Sequence, residues 1–140
     1  MSNVVYVYMC GDILHAGHLV FLNNAAALGD KLIVGVLTNE AVMEKKPKPI
    51  IDFEDRIFLI SSLKCVDLAI PQLTYSPMQN LHNIKPDILV ESSSHDKDMI
   101  ETEKECMDEW GGRVFVVPYF PGKSSSDIKS NIKKGDDNVV

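Results

Sequence analysis

Short apolar runs alternate with segments of helical spacing through most of this 140-residue chain, and that alternation limits what it can fold into. "VVYVYM" (4–9) is β-rich, and "KLIVGVLT" (31–38) is the near-continuous apolar run expected of a strand buried on both faces. "CVDLAIP" (65–71), stopped by Pro71, "DILVES" (87–92) and "RVFVVPY" (113–119) are three further strands. Between them, "HLVFLNNAAALGD" (18–30) spaces its apolar residues as a helix that stops at Gly29. "FEDRIFLISSL" (53–63) is helical behind Asp52 as cap, and "SPMQNLHNI" (76–84) has Ser76 as N-cap with Pro77 at the first helical position. "KDMIETEKECMDEW" (97–110) is an amphipathic helix ended by Gly111-Gly112, and "SSSDIKSNIKK" (124–134) is a last helix behind a serine cap. "KKPKP" (45–49) is a loop, because its two prolines interrupt any ladder or helix.

Such a repeat predicts an α/β chain: a doubly wound parallel sheet of five strands with helices on both faces. The length suits a single domain over residues 1–134, with 135–140 as a frayed tail. A formal net charge of −6 argues against a nucleic-acid partner, although Lys45, Lys46 and Lys48 supply local cations. Three widely spaced cysteines argue against a disulfide framework and point to a reducing cytoplasm. No apolar run approaches the ~20 residues of a membrane span, and no basic region precedes the first strand as in a secretory signal.

In an open parallel sheet, ligands bind outside the carboxyl ends of the strands. Those ends carry "CGDILHAGH", "TNEAVMEKKPKP", "ESSSHD" and "YFPGKSSSDIK". His15 and His18, three apart, face the same side of a helical turn. They are a metal pair lacking an evident third ligand, packed histidines of no consequence, or two imidazoles donating to a reacting phosphate. Gly17 would let that phosphate approach the backbone. Ser124, Ser125 and Ser126 open a helix whose amino terminus suits an anion, and are equally an ordinary serine cap. A lysine loop at 45–48 would neutralise a triphosphate, or simply be solvated.

Together these motifs resemble the cytidylyltransferase-type nucleotidyltransferases, HxGH enzymes with a Rossmann-like fold. "DILHAGH" (12–18) matches the D-x-x-H-x-G-H signature, and "GKSSSDIK" (122–129) sits where the family has G-x-S-[ST]-[ST]-x-I. "LGDKLIVGVLTNE" (28–40), "PIIDFEDR" (49–56), "KCVDLAIPQ" (64–72) and "KPDILV" (85–90) follow in the family's order. The resemblance implies a transferase with His15, His18 and Lys46 as catalytic residues at the α-phosphate of a nucleoside triphosphate. It implies nucleotide binding by Met9, Cys10, Gly11, Asp12, Gly17, His18, Ser92, Ser94, Tyr119, Ser124, Ser125 and Ser126. Lys46, Arg56 and His95 would bind the acceptor.

The implied reaction is CTP-dependent: CMP passes to a small phospho-alcohol or phosphonate, magnesium assists, and pyrophosphate leaves. The implied assembly is a homodimer pairing around residues 64–67. Met9-Cys10-Gly11-Asp12 in place of G-[TC]-F-D resembles the cytidylyltransferase domains of phosphonate biosynthesis, as do "TYSPMQNL" (74–81) and "EWGGRV" (109–114). Two departures bear on nucleobase and metal handling. Tyr119 replaces an arginine, and Ser92-Ser93-Ser94-His95 replaces a G-D-D-W-like stretch. The alternatives are an ATP-dependent adenylyltransferase of heptose-phosphate or flavin-nucleotide type, and a non-catalytic nucleotide-binding module.

Overall fold

Strand β1 (Val4–Met9) alternates its side chains between two cores. Val5 and Val7 enter one, Tyr6 and Tyr8 the other, and all four are buried. A strand buried on both faces needs helices above and below it, and the chain supplies them in turn. The computed structural model describes residues 2–92 and 95–117. After β1 come α1 (Ala16–Ala26), β2 (Lys31–Leu37), α2 (Asn39–Met43), α3 (Phe53–Ser61) and β3 (Leu68–Gln72). Then follow α4 (Met78–Ile84), β4 (Ile88–Ser92), α5 (Lys97–Asp108) and β5 (Arg113–Val117). The five strands form one parallel sheet in the order β3-β2-β1-β4-β5.

Leu22 and Ala25 of α1 and Ile60 of α3 close the first core over Val5, Val34 and Val90. Leu81 of α4 and Cys106 and Met107 of α5 close the second over Tyr6, Tyr8 and Leu89, with Ala41 and Val42 of α2 beside them. The Rossmann-like, doubly wound α/β architecture expected from the sequence is therefore present. On the second face, the Tyr6 hydroxyl donates to Gln72 Oε1 at 2.6 Å and accepts from Asn80 Nδ2 at 2.9 Å. This bond crosses β2 at Gly35, where an added Cβ would stand 1.8 Å from the Tyr6 hydroxyl, so only glycine fits.

Boundaries differ where local chemistry outweighs periodicity. Helix α1 starts two residues earlier than expected because His15, not a later residue, is its cap. Thr38 accepts from the Ala41 N–H at 3.1 Å and starts α2 inside a stretch expected to be loop. Pro77, not Ser76, stands at the N-cap of α4, and Asp52 occupies the N-cap of α3 without a side-chain cap hydrogen bond. Pro71 lies inside β3 rather than ending it, as an edge strand allows, since proline has no N–H for a neighbour. The expected helix 124–134, the tail 135–140 and the end of the last expected strand lie outside the described residues.

Candidate active site

The strand order places a topological switch point between β1 and β4, where successive connections run in opposite directions across the sheet. The carboxyl ends of those two strands carry "CGDILHAGH" and "ESSSHD". The loop after β1 is shaped first by Gly11, at φ +65°, where a Cβ would also lie 2.6 Å from Ile60 Cδ1.

The histidine pair then forms the cap of α1. The Gly17 N–H donates to His15 Nδ1 at 3.0 Å, and the His15 N–H donates to His18 Nδ1 at 3.2 Å. Two imidazoles thus make a reciprocal capping box of the kind usually built from Ser or Thr and Glu. Because each Nδ1 accepts from a backbone N–H, each neutral ring carries its proton on Nε2. The rings lie 4.2 Å apart between centroids. Burial, and then the neighbouring His15, push His18 down to about 4, so it is neutral at physiological pH. The pair therefore presents two uncharged Nε2–H donors at a helix amino terminus, an arrangement suited to phosphate oxygens.

Two residues expected to touch ligand have structural work. Arg56 is fully buried, and its guanidinium donates to the carbonyls of Cys10 (2.8 Å), Leu37 (2.7 Å) and Ile51 (2.9 Å) and to Asn39 Oδ1 (2.8 Å). It ties the ends of β1 and β2 together beneath the site, which corrects its expected role as an acceptor contact. Asp12, also buried, accepts from the N–H groups of Ile50 (3.0 Å) and Ile51 (2.8 Å). Its carboxylate fixes the far end of the lysine segment.

Lys46 is exposed after α2, its N–H donating to the Val42 carbonyl at 2.9 Å, at the carboxyl end of β2. Lys45 instead lies over the Tyr75 ring, 4.9 Å from its centroid. Met9 ends β1, Gly17 is buried in the first turn of α1, and Ser92 ends β4. Ser94, Tyr119, Ser124, Ser125 and Ser126 lie outside the described residues. His15, His18, Asp12, Arg56 and the return of the lysine segment are thus brought together around the end of β1.

A cluster that the sequence reading missed lies at the end of β4. The Tyr8 hydroxyl donates to Glu91 Oε2 at 2.6 Å, and His95 Nδ1 lies 2.6 Å from Glu91 Oε1. Glu103 of α5 is fully buried beside them and shares a side-chain hydrogen bond with Glu91. Burial alone would raise Glu91, but hydrogen bonds with His95 and Glu103, the charge of His95 and the Tyr8 hydroxyl outweigh it and hold that carboxyl below its usual range. Burial and the adjacent Glu91 push Glu103 up to about 10, so it is a neutral acid at pH 7. No spacing rule links residues 8, 91, 95 and 103; the only sequence signal was two acids at strand and helix positions that turn out to be inside. Among the described residues, no group of three or more His, Cys, Asp or Glu is placed to hold a metal ion.

The cytidylyltransferase-like family model matches residues 10–134. The chain belongs to the cytidylyltransferase-like family. Curated relatives in that family include the bifunctional protein HldE of Hydrogenovibrio crunogenus, 33% identical over 137 residues, covering 96% of this chain and 28% of the relative. The HldE protein of Vibrio vulnificus is 37% identical over 136 residues, with the same shares of 96% and 28%. The chain thus spans about a quarter of the length of these relatives. The crystal structure of the lipopolysaccharide core biosynthesis protein from Thermoplasma volcanium is 30% identical, with a TM-score of 0.75, over 88% of this chain and all of that one. No helix among the described residues is long and apolar enough to cross a membrane.

Proposed function

We propose that this chain is a nucleotidyltransferase that joins a nucleoside monophosphate to a small phosphorylated acceptor. An acceptor phosphate oxygen forms a bond to the α-phosphorus, the bond from that phosphorus to the bridging oxygen breaks, and pyrophosphate leaves with the electron pair. The observation that carries this reading is the imidazole capping box at the start of α1. Two Nε2–H donors beside a helix amino terminus would stabilise charge developing on the α-phosphate oxygens without any covalent intermediate. Lys46 would neutralise the departing pyrophosphate, and the triphosphate would bring magnesium as its own counter-ion.

ATP is the better supported nucleotide. The curated relatives carry the name HldE, and the 30% identical structure is of a lipopolysaccharide core biosynthesis protein. Both support the heptose-phosphate adenylyltransferase alternative over CMP transfer to a phosphonate. Met9-Cys10-Gly11-Asp12, which resembles the phosphonate branch, keeps CMP transfer as a second reading. Pyrophosphate release is to be measured with ATP or CTP against a panel of sugar phosphates, phospho-alcohols and phosphonates. Release with ATP and a sugar phosphate is expected. Release with CTP alone would move the chain to the second reading, and nucleotide binding without release from any pair would leave a non-catalytic module.

A further inference from the structure

Residues 45–51 carry the lysines expected to neutralise a triphosphate, and the chain is tied down on both sides of them. At the near end, the N–H groups of Lys45 and Lys46 donate to the Val42 carbonyl at 3.1 and 2.9 Å. Lys45 lies over the Tyr75 ring, and Glu44 accepts from the Tyr75 N–H at 3.0 Å. At the far end, Pro49 is buried and the backbone of Ile51 is held at both its polar groups. Its N–H, with that of Ile50, donates to Asp12, and its carbonyl accepts from Arg56. Only Pro47 and Lys48 lie between the two anchors, and the prolines at 47 and 49 have φ fixed by their rings. A segment so short and so restrained holds its shape without a ligand.

Deepening the proposed nucleotidyl transfer and resting on it, we propose that Asp12 is a positioning residue that fixes Lys46 relative to His15 and His18 before any nucleotide arrives. Asp12 stands in the turn between β1 and α1, three residues ahead of His15, so its carboxylate joins the histidine loop directly to the lysine segment. Arg56 reinforces the joint, because its Nη1 holds the Cys10 carbonyl at the start of that turn while its Nε holds Ile51. The donors for the α-phosphate and the cation for the leaving group thus share one buried anchor. Catalysis by positioning and charge gains most when its groups need no reordering as charge develops. The carboxylate of "DILHAGH" therefore has a task that requires no contact with ligand or metal.

The test separates coupling to Lys46 from damage to the histidine loop, with pyrophosphate release as the assay. Asp12→Asn turns an amide NH2 toward a backbone N–H and should lower kcat/KM about tenfold or more. In a Lys46→Ala background the same change should cost less than about threefold, whereas in a His18→Ala background its full cost should return. Pro47→Gly, at an exposed position, should fold as wild type does and lower kcat/KM about threefold, with no further loss once Lys46 is alanine. Hydrogen exchange of the nucleotide-free wild type should show the Ile50 and Ile51 amides protected, and Asp12→Asn should lose that protection. Exchange at those amides that slows only when nucleotide is added would reveal a closing loop and overturn the proposal. So would an equal cost of Asp12→Asn with and without Lys46, the mark of a merely structural role. Either result leaves nucleotidyl transfer standing, whereas a wild type that releases pyrophosphate with no pair of nucleotide and acceptor would overturn both.

Discussion

The two strands flanking the switch point both end near histidine, yet the surrounding groups give those rings opposite hydrogen-bonding sense. After β1, His15 and His18 meet backbone N–H groups at Nδ1 and are left with Nε2–H donors. After β4, His95 meets the Glu91 carboxylate at Nδ1, 2.6 Å away, and carries a proton on that nitrogen. The difference comes from backbone geometry at one end and from a buried side-chain cluster at the other. A helix start supplies free N–H groups to any side chain at its cap, whereas Glu91 is present only because Tyr8 and α5 enclose it.

The largest effect expected is on chemistry at the β1 end. His18→Ala removes one donor and should lower kcat by about two to three orders of magnitude, by analogy with losing an oxyanion donor. Nucleotide affinity should change far less, and steady-state kinetics beside a binding titration would separate the two. His95→Phe in the same assay should lower kcat far less, and the comparison breaks if both variants behave alike.

The next effect is on stability, and again it separates the two ends. Arg56→Leu leaves the carbonyls of Cys10, Leu37 and Ile51 without their buried donor and should cost about 3 kcal/mol in urea unfolding. Glu103→Gln, at the β4 end, replaces an acid that is already neutral at pH 7 and should not destabilise.

The smallest effect is a pair of pH dependences with opposite signs. His18 falls from 6.5 to about 4 on folding, so the unfolded chain takes up its proton first on acidification. Stability should therefore decline as pH drops through that window, and His18→Asn should flatten the decline. Glu103 rises from 4.5 to about 10, so its contribution is complete below pH 4.5 and is lost as pH increases toward 10. Glu103→Gln should gain in melting temperature over wild type across that range. Melting curves from pH 4 to 9 on both variants would check the two slopes together.

Much of the fold was legible because β1, β2 and β4 are apolar enough to require cover on both faces. The edge strand β3 was harder: Leu68 and Pro71 of its five residues are exposed, and a proline that would break a central strand is tolerated there. Helix α2 was hidden because its signal is one threonine cap ahead of five residues, next to a proline-rich stretch. In the site, "DILHAGH" singled out His15 and His18 but not that they cap the helix with each other. Arg56 was read as an acceptor contact from the resemblance; only the converging carbonyls of two strand ends explain its burial. The Tyr8–Glu91–His95–Glu103 cluster joins positions up to 95 residues apart (8 to 103), and no local pattern announces it.

The opposed Nδ1 protonation states are read most directly by long-range proton–nitrogen correlation NMR of the imidazoles near pH 7.5. The account predicts a proton on Nε2 and none on Nδ1 for His15 and His18, and a proton on Nδ1 for His95. The same tautomer at all three rings, or an Nδ1 proton on His18, would contradict it.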